Sequence, residues 1–550
     1  MELISQHAKK IMEGCKERAR DAGLRFQDQS LEYIVTNRDL LQLSPKIMIP
    51  TLYDYWVQDV EVLKGQGRYE LYPNNPYETV INTRPAISFY NDNNPDWLNV
   101  MIFYHVIGHI DFFQNNLFFR HTWGYDFAGR ALSDKRLIAK LRSEKGRWVD
   151  YIIEFSRAVD NLVGYFDVLA SLTKTRATGS AALLDFYFDI FLQRDGLGTV
   201  THYVREIERY NQMLRDNPED GQLLFLETVK RSYAEFESLY EKHHREKKPT
   251  ESIDLLQFLM EHSKFLNKEE NRWMLTVMEV MRSTSLYFQP QIRTKILNEG
   301  WASYWHEKLF LSDDRIGGHE VDYAIVNARV TSMPRVGLNP YALGMRLFDY
   351  LEDKASKGKI SFDYLMLQDK HERDHYDSGV GKGREFIFAV RENYADSMFI
   401  NSFIDQDFVD LHRLFVVGKR LNKEKMTWQY YVKSRKAEDY KEMVTDSLYH
   451  PPSIRVNVDE SSTLILNHVF EGKPLVREYI EATMLGLEFL WGGKVCLYTS
   501  EPVPVKPQTQ QPSLGPAVKQ EKPKQEISWK RFRYTMNEKK LFRELIDVHG

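Results

Sequence analysis

Cysteine is nearly absent: Cys15 and Cys496 are the only two among 550 residues, and they lie near opposite ends of the chain. Two such thiols exclude a disulfide scaffold and any cysteine-rich zinc or iron–sulfur site, and they suit a reducing compartment. An excess of one charge is also lacking. Lys and Arg number 74 against 78 Asp and Glu, a net charge of −4, so no global field points to nucleic acid or an anionic membrane. No stretch approaches the roughly 18 uncharged apolar residues of a membrane span. The N-terminus, MELISQHAKKIMEGCKERARDAG, has no basic segment followed by an apolar run. It reads as a helix with Leu3, Ile4, Ala8 and Ile11 on one side. The expectation is a cytoplasmic protein.

Aromatic residues, by contrast, are plentiful. Tyr and Phe number 31 each, and 43% of the chain is apolar, so a large core is within reach. At roughly 150 residues per domain, the length allows about three or four units.

The pattern along the chain predicts an α+β fold, mostly α-helical. Residues 1–95 read as a mixed region packed on the core, with strand-like runs in RYELYP and TVINTRPAISFY. Residues 96–400 read as a helical core, interrupted at 355–385 by a charged, Gly-containing stretch that reads as loop. Residues 401–500 predict a small α+β domain in the order β-β-α-β-β-α-β, with FVDLHRLFVVG as its first strand. Residues 501–526 hold six prolines and almost no large apolar groups, which predicts an extended, disordered linker. Residues 527–550 regain apolar character, and Leu541, Leu545 and Val548 fall at helical spacing. That segment is expected to be a tail able to dock on the protein itself or on a partner.

Three places invite chemistry. The first, KHERDHYDSG, contains a literal H-E-x-x-H at His371, Glu372 and His375, the spelling of a zinc-protease helix. Such a helix is buried, yet here Arg373 and Asp374 stand between the histidines. The string therefore reads as a solvated charged loop, and GVGKG after it as a turn.

The second is FYHVIGHIDFF. His105 and His109 are four apart, hence on one helix face with Cβ atoms about 6 Å apart. Their neighbours are apolar nearly all round, so the helix should be buried. Two buried imidazoles need partners. A shared cation, or carboxylates and carbonyls, would serve.

The third is TKILNEGWASYWHEKLF. Glu299 and His306 are seven apart and share a face, while Asn298, Glu299 and Gly300 interrupt an apolar stretch. A buried carboxylate needs a cation or several donors. Two histidines one turn apart with a glutamate from a second helix make a zinc shell. Metal candidates are therefore His105, His109, Glu299 and His306, the last as fourth ligand or proton donor.

LNEGWASY resembles the segment of zinc aminopeptidases that supplies the glutamate ligand, where Phe usually stands in place of Trp301. Those enzymes carry their catalytic glutamate directly after the first histidine; here Val106 occupies that position. Asp111, Glu78 or Glu307 would have to act as base. Alternatively, the metal serves another reaction or only the fold.

Taken in order, HVIGHIDFFQNN, YFQPQIRTKILNEGWASYWHE, GLNPYALG, GKGREFIFAVRENYADSMFI and GKPLVREYIEATMLGLEFLWGGKVCLYT resemble the SpoVR family, named after stage V sporulation protein R. The resemblance spans roughly residues 20–500. It implies a bacterial cytoplasmic protein of spore cortex formation or stress response. A PrkA-type serine kinase and a von Willebrand-type protein are the implied partners. It also implies two histidines without the protease glutamate, and no H-E-x-x-H at 371–375. Acidic residues usually follow the arginine before YFQPQ; here Ser283 and Thr284 follow Arg282. The resulting expectation is a zincin-like pair of metal helices binding a divalent metal, zinc by donor set. Glu299, His306 and Asp111 would do the catalytic work of an amide hydrolase or transferase. The alternative is a regulatory scaffold with a structural metal.

Overall fold

The computed structural model describes residues 2–27, 29–36, 78–83, 85–120, 122, 127–159, 163–165, 183–184, 186–192, 200–217, 220–246, 254–422, 427–448, 451–459, 461–504 and 527–546. RYELYP, residues 505–526 and Val548 lie outside this set. The chain divides into two compact units, Met1–Arg157 with Thr276–Pro451, and Ala158–Leu275 with Pro452–Gly550. The architecture is mostly helical with a small C-terminal sheet region. Among the described residues no helix is long and apolar enough to cross a membrane.

Three helices organise the first unit: Asp96–Asn115, Lys295–Leu311 and Pro340–Ser356. Every residue of the first from Leu98 to Phe113 is buried, as a helix that is apolar on all faces must be. Glycines set how closely the three cross. A Cβ on Gly108 would lie 2.8 Å from the Ala302 Cα, and one on Gly300 would lie 2.4 Å from the Gly344 Cα. The obstacles are backbone atoms, which cannot swing aside. Gly344→Ala should therefore cost at least the ~1–3 kcal/mol of ordinary overpacking. Gly317→Ala, whose Cβ would meet only the Asp314 carbonyl oxygen at 3.7 Å, should change stability by less than about 0.5 kcal/mol. Denaturant midpoints of the two variants check the contrast.

The Lys295–Leu311 helix receives its N-terminal cap from far along the chain. Thr294 makes no side-chain cap. Instead the buried Asp396 carboxylate accepts from the amides of Ile296 (2.9 Å) and Leu297 (2.8 Å), satisfying donors that a helix start leaves open. Burial nevertheless pushes the Asp396 carboxyl up to about 7.

Beside these helices lies a four-stranded sheet in the order Glu2–Leu3, Ser30–Val35, Ala86–Asn91, Glu78–Ile81. Ile4, Met12, Cys15, Ala86 and Tyr90 join the same core as the central helices.

The second unit holds a five-stranded sheet in the order Lys540–Ile546, Ile527–Asn537, Val495–Pro504, Leu464–Val469, Ser453–Val458. Leu464–Val469 and Val495–Pro504 run parallel, joined by the helix Arg477–Trp491.

Several expectations require correction. The order β-β-α-β-β-α-β over 401–500 is observed, but not as one domain. Val416–Asn422 and Thr427–Ser434 form a separate two-stranded sheet in the first unit, and the later strands belong to the second. FVDLHRLFVVG begins as the helix Gln406–Leu411, and only its end enters a strand. The 355–385 stretch contains the short helices Phe362–Met366 and Lys370–His375. Residues 501–504 complete a strand and do not begin a linker.

The C-terminal segment is a β-hairpin, not a helix. Phe532, Tyr534 and Met536 alternate inward, and Asn537 pairs with Lys540 around a two-residue turn. Glu538 and Lys539 there adopt φ of 51° and 61°, the left-handed pair that a type I′ hairpin turn demands.

Candidate metal centre

The second and third sequence candidates meet. Nε2 of His109 lies 3.5 Å from Glu299 Oε2, and Nε2 of His105 lies 3.8 Å from the same oxygen. One ligand atom from each residue falls within 4.8 Å of the others. Ligands about 2.1 Å from a tetrahedral zinc stand roughly 3.4 Å apart, so the three need little adjustment to share an ion. Among the described residues this is the only such group of three.

The far side of each imidazole is tied down. His109 Nδ1 lies 2.9 Å from Asn298 Oδ1. His105 Nδ1 lies 2.9 Å from His306 Nδ1, His306 Nε2 lies 3.0 Å from Asn327 Oδ1, and Asn327 Nδ2 donates to Glu307 at 2.9 Å. These contacts set the proton positions. An Nε2 that offers a lone pair to a cation requires the proton on Nδ1. His109 then donates to Asn298, and His105 to His306, which in turn donates to Asn327. Each link has one donor and one acceptor, the arrangement that orients histidine ligands in metal sites.

The interrupted stretch Asn298-Glu299-Gly300 thereby acquires three separate reasons. Asn298 anchors His109, Glu299 faces both imidazoles, and Gly300 admits the neighbouring helix. Burial alone would raise the Glu299 carboxyl. The adjacent His105 and His109, with the Tyr341 hydroxyl, bring it below the ordinary carboxylate range. The His105, His109 and Glu299 side chains are 3%, 8% and 17% exposed, so the three lie largely inside the protein.

The structure places His306 behind His105, with its Nδ1 2.9 Å from the His105 Nδ1. It lies outside the group of three, and its two nitrogens face His105 and Asn327.

Asp111 is not brought to the cluster. It is fully buried on another face of the same helix, accepting from the Arg25 amide (2.7 Å) and the Trp301 indole (2.8 Å), with Arg391 Nε at 3.5 Å. Burial raises its carboxyl to about 6, while the charge of Arg391 and the two N–H donors oppose the rise. This carboxylate closes a buried ion pair on a face of the helix away from the three-residue group. The contact also explains Trp301, where the aminopeptidase segment has Phe.

Glu307 ends the Asn327 chain, Glu78 opens an edge strand, and Ser283 and Thr284 lie within the Arg272–Arg293 helix. Glu307 does not join the three-residue group, and the Glu78 side chain lies outside the described set. The H-E-x-x-H string forms a six-residue helix capped by Asp369, with His371 and His375 exposed. Asn327 and Tyr341 were missed by sequence reading. Tyr341 sits in the GLNPYALG motif, a signal that was present, but nothing in the sequence marks Asn327.

Two imidazoles and a carboxylate on two closely crossed helices define a helical protein with a His–His–Glu cluster of metal-ligand type. The chain belongs to the SpoVR-like protein family, matching it over residues 2–450. It is also 22% identical over 403 residues to the uncharacterised protein YcgB of Escherichia coli (strain K12), covering 70% of this chain and 69% of YcgB. No solved structure matches the chain.

Proposed function

We propose that His105, His109 and Glu299 hold one divalent cation, zinc by the donor set. The chain would then be a metal-dependent hydrolase or transferase acting on amide bonds of peptidoglycan type or their precursors, in spore cortex formation or a stress response. The observation that supports this most is the convergence of three ligand atoms whose supporting hydrogen bonds all run away from the shared point. Bound there, the cation would polarise a carbonyl and acidify water. His306 and Asn298 position the ligands, and Glu299 supplies the anionic donor.

A second reading has its own support. Val106 stands where the protease glutamate would be, Asp111 accepts from Trp301, and among the described residues no carboxylate besides Glu299 joins the cluster. A structural metal in a regulatory protein linked to a PrkA-type kinase and a von Willebrand-type protein fits those facts.

Elemental analysis tests the common premise. The full chain should carry close to one zinc, and His105→Ala/His109→Ala should carry almost none. A wild-type chain that takes up no divalent ion after dialysis against zinc would refute it. Mass spectrometry of muropeptides incubated with wild type and Glu299→Gln then separates the readings: cleavage or transfer lost in the variant supports the enzyme, and no product from either supports the structural metal.

A further inference from the structure

The hairpin Val416–Asn422 with Thr427–Ser434 exposes aromatic and basic side chains together. Its strands pair antiparallel, Lys419 opposite Tyr430 and Leu421 opposite Trp428, and opposed residues share a face. The root is anchored, since Val416 belongs to the core of the first unit. Beyond it, every residue from Thr427 to Lys433 is exposed. Trp428 is 57%, Tyr430 59% and Tyr431 47% exposed. Between 419 and 436 stand seven Lys or Arg and one Glu, a local charge of +6 in a chain whose net charge is −4.

Lysines alone suffice to keep an exposed strand from pairing with another chain. Three large rings beside them work against that protection and need another reason. Rings two residues apart on a strand stand about 7 Å apart, a pair of successive stacking platforms. Cations accompany them on both faces: Lys419 Nζ lies 5.3 Å from the Trp428 ring and Arg420 Cζ 5.8 Å from the Tyr431 ring.

Rings for bases with cations for phosphates is the combination that single-strand binders use. An acidic polypeptide would also answer the charge. However, three of the five described cations between 419 and 436 are lysine, a residue depleted from protein interfaces but effective at neutralising phosphates. We propose that this hairpin binds single-stranded nucleic acid. Bases stack on Trp428 and Tyr430, and Lys419, Arg420 and Lys433 hold the phosphates. The whole-chain charge conceals this site because the excess is confined to 18 residues.

Fluorescein-labelled 20-nucleotide oligo(dT) and oligo(rU), titrated with the full chain and followed by anisotropy at several salt concentrations, test the proposal. Saturable binding is expected, with log K falling against log salt at a slope of roughly −2 to −3.5 for three to five phosphates. Trp428→Ala/Tyr430→Ala should weaken binding at least about tenfold and leave the slope in place. Lys419→Glu/Lys433→Glu should weaken binding and flatten the slope by about 1.4. All four positions are exposed, so circular dichroism and melting of both variants should match wild type. The oligonucleotide bound more tightly identifies DNA or RNA as the source. Binding to neither oligonucleotide more tightly than about 100 µM, or binding that neither double variant alters, overturns the proposal. So does capture of poly-glutamate in preference to both, which would assign the surface to an acidic polypeptide.

Discussion

Arg391→Leu should destabilise the first unit by about 3–5 kcal/mol, the usual cost of leaving one member of a buried ion pair alone. Arg391 is 0% exposed. Its guanidinium faces Asp111 at 3.5 Å and lies 5.1 Å from the Phe388 ring centroid and 5.5 Å from that of Trp301. Leucine restores some apolar contact but leaves the Asp111 carboxylate without its cation. The pH dependence distinguishes lost charge from lost packing. In the wild type the Asp111 carboxyl is held up at about 6, above its unfolded value of roughly 4. Its contribution to stability is thus fully present below pH ~4 and is lost as pH rises through about 6. Without Arg391 the carboxyl rises further, so the loss in the variant should be smaller at pH 5, where the group is protonated, than at pH 8. Asp111→Asn/Arg391→Leu should recover part of the loss. Equilibrium denaturation at the two pH values measures all of this; a single-variant cost below about 1 kcal/mol would show that the pair does not matter.

Glu299→Gln should lower zinc affinity about 100-fold or more, since it removes the only anionic donor of the three. Asn298→Ala and His306→Ala should each cost about 10–100-fold, the usual effect of losing a group that orients a ligand. Competition against a chromophoric chelator gives the affinities. The order is informative: if His306→Ala matched or exceeded Glu299→Gln, His306 would be a ligand after all. Because an ion that binds only the folded chain stabilises it, chelator should lower the melting temperature of wild type and leave that of Glu299→Gln nearly unchanged.

The candidate site was legible in the sequence to an unusual depth, and its limits have physical causes. Helical spacing placed His105 and His109 on one face, and the polar interruption at Asn298-Glu299-Gly300 marked the second helix. The same spacing did not reveal that His306 faces His105 and Asn327, because sharing a helix face says nothing of the partners across it. The surroundings of Asp111 were not legible, because a carboxylate near a site in sequence says nothing of the direction it faces; its partners Arg25, Trp301 and Arg391 lie 86, 190 and 280 positions away. In the C-terminal hairpin, Leu541 and Leu545 fit a helix by count. The alternation of Phe532, Tyr534 and Met536 carried the correct period, but the turn at Glu538 and Lys539 lacks the Asn-Gly or Asp-Gly spelling that announces a type I′ turn.

The sequence by itself determined the helical character, the buried helix with its two histidines and a cysteine count too low for a disulfide framework, because composition and periodicity are local properties; the family was carried by long motifs in a fixed order. Tertiary structure alone decided which nitrogen of each imidazole faces Glu299, that Asn327 links His306 to Glu307, that Asp396 caps a helix about 100 residues away, and that Asp111 belongs to an ion pair. Those outcomes depend on how closely helices approach at Gly108, Gly300 and Gly344, and close approach between distant segments leaves no period in the sequence.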